Sequence, residues 1–169
     1  MTEVIADTSA LVSLGIADGC GSPLRLLETE YDLSVPDTVY GELEETALYD
    51  DVHGQAASRV LELLTTDQCQ SVELDQKFPL DDGENAAVSL ANSQNAEILL
   101  CDEFNSLGLI HASLADTRLV TTPVLLSSFS RNELLTPAQS ITLLDSIAAK
   151  RSWEENSYVQ RTRARLETD

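Results

Sequence analysis

Glu3-Val4-Ile5-Ala6-Asp7-Thr8-Ser9-Ala10-Leu11-Val12-Ser13-Leu14-Gly15 begins as a short apolar run and delivers one carboxylate and two hydroxyls to its end. A run of this kind needs burial on both faces, which places it in the middle of a parallel sheet with its carboxyl end at the ligand-binding edge. Asp7 stands at that edge. The same grammar returns in Glu97-Ile98-Leu99-Leu100-Cys101-Asp102-Glu103, a second apolar strand ending in acids, so Asp102 is the expected partner of Asp7.

Outward from the first strand, helical and extended patterns alternate. Ala10 to Ile16 starts a helix, and Ser22 to Glu30 forms another with Pro23 at its first position. Residues 31–35 read as a strand, and 36–49 as a helix with Val39, Leu43 and Ala47 on its apolar side. Gly54 to Leu64 is helical and Cys69 to Leu74 strand-like. Asp81-Asp82-Gly83-Glu84 then opens a helix through about Ala91, acids at its start suiting the positive end of the dipole. Phe104 to Leu114 continues as a helix, followed by a short strand at Arg118 to Thr121. Three further helices span Thr122 to Asn132, Ala138 to Arg151 and Asn156 to Leu166. The alternation predicts an α/β domain around a parallel sheet. No Gly/Ser-rich or Pro-rich linker divides it, so one domain is expected over 1–169, with a core over about 1–132 and a helical segment over about 133–169.

Two helices bring further acids toward the sheet edge. Glu42 borders the stripe of Val39 and Leu43. Glu84 leads a stripe continued by Ala87, Val88 and Ala91 at helical spacing. Capping accounts for Asp81 or Asp82, but it does not require an acid at the head of the buried face. Asp7, Glu42, Glu84 and Asp102 are therefore expected to converge beyond the strand ends, with Thr8, Ser9, Asp82 and Glu103 as assisting groups beside them. Carboxylates within about 4–6 Å of one another must take up protons or share a cation. No Lys or Arg is adjacent to any of the four in sequence. An all-oxygen donor set fits a hard divalent ion, Mg²⁺ or Mn²⁺, and such an ion serves phosphoryl chemistry.

Composition limits the alternatives. The chain carries 29 acids against 10 bases, a net charge of -19, and its only lysines are Lys77 and Lys150. The apolar content is ordinary and well patterned, which argues against disorder. An acidic, lysine-poor surface around a normal core resembles proteins of salt-loving microbes, where ionic strength screens the self-repulsion. Most of the acids are then a solvated surface. The bases concentrate in residues 131–169, so Arg131, Lys150, Arg151, Arg161, Arg163 and Arg165 are the expected contacts for a polyanion. Cys20, Cys69 and Cys101 are too far apart for a zinc site and read as buried reduced thiols. His53 and His111 each stand alone and read as ordinary surface or packing residues. Neither a secretory leader nor an apolar run of spanning length is present, so a soluble cytoplasmic protein without a membrane role is expected.

The stretches Val4-Ile5-Ala6-Asp7-Thr8-Ser9, Val35-Pro36-Asp37-Thr38-Val39-Tyr40-Gly41-Glu42-Leu43, Asp82-Gly83-Glu84-Asn85-Ala86-Ala87 and Leu99-Leu100-Cys101-Asp102-Glu103 together resemble the successive acidic motifs of PIN domains, in order and over the whole chain. The resemblance implies a doubly wound parallel β-sheet flanked by helices, with C-terminal helices. It also implies an Mg²⁺- or Mn²⁺-dependent ribonuclease site in which Asp7, Glu42, Glu84 and Asp102 form the acidic quartet and Ser9 assists. The implied substrate is RNA, single-stranded or structured, and the implied partners are an antitoxin protein and a second copy of the chain in a homodimer. Relatives often place basic residues after the second strand-end acid, where this chain has Phe104, Asn105 and Ser106. Tyr40, Phe104, Trp153 and Tyr158 are the aromatic residues that could stack on bases, with core packing the alternative for each. A catalytically silent PIN-like binding module is the second functional class. A dehalogenase-like phosphatase would need an Asp two residues after Asp7, where Ser9 stands.

Overall fold

β1 (Glu3–Ala6) pairs in parallel with β2 (Asp32–Pro36) on one side and β4 (Ile98–Leu100) on the other. β3 (Cys69–Gln70) extends the sheet beyond β2, and β5 (Arg118–Val120) extends it beyond β4, each again in parallel. The computed structural model describes residues 1–17 and 21–169, and the expectation for Cys20 lies outside them. Strand order is β3-β2-β1-β4-β5. The chain steps outward from β1 through β2 to β3, then returns to the far side of β1 and steps outward again. The reversal lies between β1 and β4, whose carboxyl ends open the crevice in which such sheets bind ligands.

Side-chain alternation along β1 distributes the core to both faces of the sheet. Val4 and Ala6 join one apolar cluster, and Ile5 joins the other. The first cluster is covered by α1 (Thr8–Ile16), α2 (Pro23–Glu30), α3 (Asp37–Thr46), α4 (Val52–Leu63) and α7 (Thr122–Arg131), with Leu11, Leu14, Leu43 and Phe129 fully buried. The second is covered by α5 (Asp82–Gln94) and α6 (Leu107–Ser113) through Val88, Leu90 and Ile110. Helices on both faces of an all-parallel sheet make the doubly wound α/β arrangement. The last two helices, α8 (Pro137–Arg151) and α9 (Ser157–Thr168), contribute Leu144, Ile147 and Leu166 to the first cluster. Among the described residues no helix is long and apolar enough to cross a membrane.

Several boundaries differ from expectation, each for a local reason. β3 stops at Gln70 instead of reaching Leu74, because Val72, Phe78 and Leu80 leave the edge to pack on the second cluster. Cys69, on that edge, is only partly covered and so is not the buried thiol expected, whereas Cys101 is buried. The helix expected from Phe104 begins at Leu107. The intervening turn is closed by the Phe104 amide donating to Asp102 O at 2.9 Å and the Ser106 amide donating to Glu103 O at 2.9 Å. α4 begins earlier than expected, at Val52, because Asp51 caps it by accepting from the Gly54 amide at 2.7 Å.

α1 and α4 approach so closely that a Cβ on Gly15 would lie 2.6 Å from the carbonyl oxygen of Ala56. That neighbour is helix backbone and cannot swing aside. Gly15→Ala should therefore lower stability by about 1–3 kcal/mol, despite the better intrinsic helix propensity of alanine. Urea unfolding reads this directly, and a variant as stable as the parent would show that the two helices do not pack at this distance.

Candidate active site

Asp7 caps α1 at the end of β1, and that single position determines its surroundings. Its Oδ1 accepts from the Ser9 hydroxyl at 2.7 Å and from the Ala10 amide at 3.1 Å, while Oδ2 accepts from the Cys101 thiol at 3.0 Å. Its own amide donates to Leu100 O of β4, which ties the two strand ends together. Burial raises the Asp7 carboxyl to about 7, against the three hydrogen bonds that favour its charge. The Cys101 thiol is pushed up as well, by burial and by Asp7 beside it, so it acts as a donor and remains a thiol.

The acids from the two helices line the same cleft as Asp7, each held by its own partner. Glu42, on α3, accepts from the Thr8 hydroxyl at 2.8 Å, and burial raises its pKa with Asp81, Glu45 and Glu84 adding repulsion. Glu84 is buried in the first turn of α5, where it forms a reciprocal cap with Asp81. The Glu84 amide donates to Asp81 Oδ1 at 2.8 Å, and the Asp81 amide donates to Glu84 Oε2 at 3.3 Å. The cap of α5 is thus Asp81, and Asp82 follows it as the first helical residue. Burial and the neighbouring Asp81 raise Glu84.

Asp102 and Glu103 part company at the end of β4. Asp102 turns to the start of α7, where Oδ1 accepts from the Thr122 amide at 2.7 Å and Oδ2 from the Thr122 hydroxyl at 2.5 Å. Its amide donates to Ser9 Oγ at 2.9 Å, so Ser9 links Asp7 to Asp102 through one hydroxyl. Burial raises Asp102, and Thr122, Ser13 and Arg151 oppose the rise. Glu103, half-buried, is raised by burial and by Asp81 and is lowered by Arg151. Between these elements lies a cleft of about 30 Å³ lined by Asp7, Thr8, Ser9, Glu42, Asp81, Gly83, Glu84 and Glu103. Asp102 is not in that lining. No Lys or Arg among the described residues lines it either.

The cleft's donor set fits the small oxygen-preferring ion expected from the sequence. Every donor in it is a carboxylate, a hydroxyl or backbone, its raised carboxyls are those that gain from a cation, and its room matches a single ion or water. Among the described residues, no three ligating side chains are already gathered around one point. The carboxylates are held instead by their hydroxyl and amide donors.

A family model described as a PIN domain matches residues 3–168. The chain belongs to the PIN-domain family. No curated protein and no solved structure matches it. The PIN domain is a nuclease-type fold, and of the acids singled out in the sequence Asp7, Glu42 and Glu84 line the cleft of this one, whereas Asp102 is held by Thr122 outside its lining.

The remaining candidates scatter. Lys150 and Arg151 end α8 beside Asp102 and Glu103, and the Arg151 guanidinium lies 3.5 Å from the Ser9 carbonyl oxygen. Arg131 and Arg165 line a separate hollow with Arg118. Arg161 is exposed on α9, and Arg163 is already paired with Asp145 and Glu167. Asp81, a capping candidate in the sequence, also lines the cleft, and Asp81-x-x-Glu84 is the signature of the reciprocal cap that places it there.

Gly83 is the residue that lets Glu42 stand in the cleft. A Cβ there would lie 2.2 Å from Glu42 Oε1, at the flexible end of a side chain. Gly83→Ala should keep stability within about 1 kcal/mol, since the helix gains propensity, while displacing the Glu42 carboxylate. If the cleft takes the divalent ion that its donors fit, Mn²⁺ affinity measured by titration should fall by about tenfold or more, as on loss of supporting contacts in metal sites. Unchanged affinity would show that the position of Glu42 does not matter.

Proposed function

We propose that this PIN domain is an Mg²⁺- or Mn²⁺-dependent endoribonuclease that hydrolyses RNA phosphodiester bonds. The observation that carries the proposal is the cleft beyond β1 and β4, which Asp7, Glu42, Asp81, Glu84 and Glu103 line with no Lys or Arg among the described residues in that lining. Asp7, Glu42 and Glu84, with Glu103 where Asp102 was expected, are the cleft residues that would hold the ion, while Asp102 is held by Thr122 outside the lining. When bound, it supplies positive charge opposite the phosphate and lowers the pKa of an attacking water. The chain's own part is orientation: Ser9 and Ala10 fix the Asp7 carboxylate, Thr8 fixes that of Glu42, and Asp81 fixes the backbone and head group of Glu84. On this reading the protein works in the cytoplasm as a toxin-type or RNA-processing nuclease, with an antitoxin protein or a second copy as its partner.

The test is cleavage of a labelled RNA in strong KCl with Mn²⁺, comparing the parent with Asp7→Asn. Products with 5′-phosphate and 3′-hydroxyl ends are expected from the parent alone. Cutting no faster than the variant's background rejects the proposal. A second reading, a binding module without turnover, is favoured by one observation. Asp102 is fully engaged by Thr122, and Glu84 is part of a helix cap, so both have structural work without an ion.

A further inference from the structure

A hollow of about 470 Å³ adjoins the acidic cleft, between the turn after β4 and the end of α8. Glu103 belongs to the lining of both. In a chain with ten bases and 29 acids, this hollow gathers Lys150, Arg151 and His53, with the carboxylates of Asp102 and Glu103 on the side toward the cleft. Its other wall is aromatic. Phe104 meets Trp153 edge-on with ring centres 5.0 Å apart and stacks on Tyr158 at 5.7 Å, and Arg151 lies over the Trp153 ring, 5.6 Å from its centre. Cations on the last turn of α8 are expected simply to neutralise the negative end of a helix dipole. That role does not require a hollow of nucleotide size between those charges and a bank of rings.

We propose that this hollow holds one nucleotide of a single-stranded RNA as it enters the cleft, its phosphate on Lys150 and Arg151 and its base against the half-buried Phe104, with Trp153 buried behind them under the Arg151 guanidinium. The choice of RNA rests on the nuclease reading above. Three features favour this ligand. A phosphate approaching so acidic a protein is drawn to the cations beside the cleft, because phosphate contacts dominate nucleic-acid affinity. A ring face is useful only to an unpaired base, since bases in a duplex are already stacked on one another. The shared Glu103 wall makes the bound nucleotide a neighbour of the one in the cleft, so the hollow orients the strand across Asp7 and Glu84. Stacking is also insensitive to salt, unlike the ionic contacts, and this suits a protein whose surface charge calls for high ionic strength.

Trp153 is the only tryptophan in the chain and so reports on the hollow directly. Adenosine 5′-monophosphate should quench its fluorescence saturably. Lys150→Glu, at an exposed position, should weaken that binding by about tenfold or more, on the scale of a lost phosphate contact together with charge reversal. Arg131→Glu, in the other hollow, should leave it unchanged, and both variants should melt as the parent does. Inorganic phosphate at equal concentration should leave the fluorescence unaltered. The proposal is overturned by the absence of a saturable quench, by equal affinity in Lys150→Glu, by phosphate alone reproducing the signal, or by an Asp/Glu-rich peptide binding where the nucleotide does not. None of these readouts depends on cleavage. Nucleotide binding without RNA cutting would remove the nuclease reading and leave the hollow standing.

Discussion

Asp7→Asn should abolish RNA cleavage and, in the presence of a chelator, make the folded protein more stable at pH 8 than its parent. Both effects come from the same carboxylate. Asp7 is 4% exposed, and burial raises its pKa from 3.8 to about 7. Between those values the native state holds a proton that the unfolded chain has released, so stability falls as pH rises through that window. Below about pH 4 both states are protonated and the native state is favoured in full. Above about pH 7 both are ionised, and the native state carries the whole cost of a buried charge. At about 1.4 kcal/mol for each pH unit, the loss is on the order of 4 kcal/mol. An asparagine in the same place can still accept from Ser9 and Ala10 through its amide oxygen; its NH2 cannot accept from the Cys101 thiol as Oδ2 does, a weak bond whose loss is smaller than the cost of the buried charge that the substitution removes. Urea midpoints for the two proteins should therefore coincide near pH 4 and separate toward pH 8, with the variant the more stable. Its cleavage rate should fall by a hundredfold to a thousandfold at least, on the order seen when a group facing transition-state charge is removed. A variant that still cuts RNA near the parent rate would take Asp7 out of the chemistry. A variant less stable at pH 8 would show that the native state compensates the charge by itself.

What could be read ahead of the structure was the part governed by periodicity. The apolar run before Asp7 and its repeat before Asp102 identified the two strands at the switch point, since buried parallel strands need no alternation. The stripe headed by Glu84 likewise placed that acid inward, and it is buried. What could not be read was set by tertiary packing. Two acids follow each other at the end of β4, and the turn closed by Phe104 and Ser106 decides that Asp102 faces Thr122 while Glu103 lines the cleft. Nothing in the local pattern distinguishes them. Arg151 lies 142 residues after Ser9, and only the packing of α8 brings its guanidinium to the Ser9 carbonyl and moderates Asp102 and Glu103. A base distant in sequence thus supplies part of the countercharge that adjacent residues lack.

A divalent ion should raise the melting temperature of the parent by about 5–10 °C at pH 8, and by much less at pH 5. The size follows from linkage. An ion present at about a hundred times its dissociation constant contributes about 2.7 kcal/mol to the native state. In a domain of this length each kcal/mol moves the midpoint by about 2–4 °C. The pH dependence follows because carboxylates bind metal only when ionised. Asp7, Glu42, Glu84 and Glu103 are all raised by burial, Asp7 to about 7, so protons compete with the ion most strongly at Asp7. On the proposed reading Asp7→Asn should lose most of the rise, because the proposed ligand and the buried charge that the ion would relieve disappear together. The control must be KCl matched for ionic strength, since a chain of net charge -19 gains stability from screening alone. If Mg²⁺ and Mn²⁺ do no more than matched KCl, the acids form no site. The hydrogen bonds from Thr8, Ser9, Asp81 and Thr122 then describe a PIN domain that keeps the acids for its fold and binds without cutting.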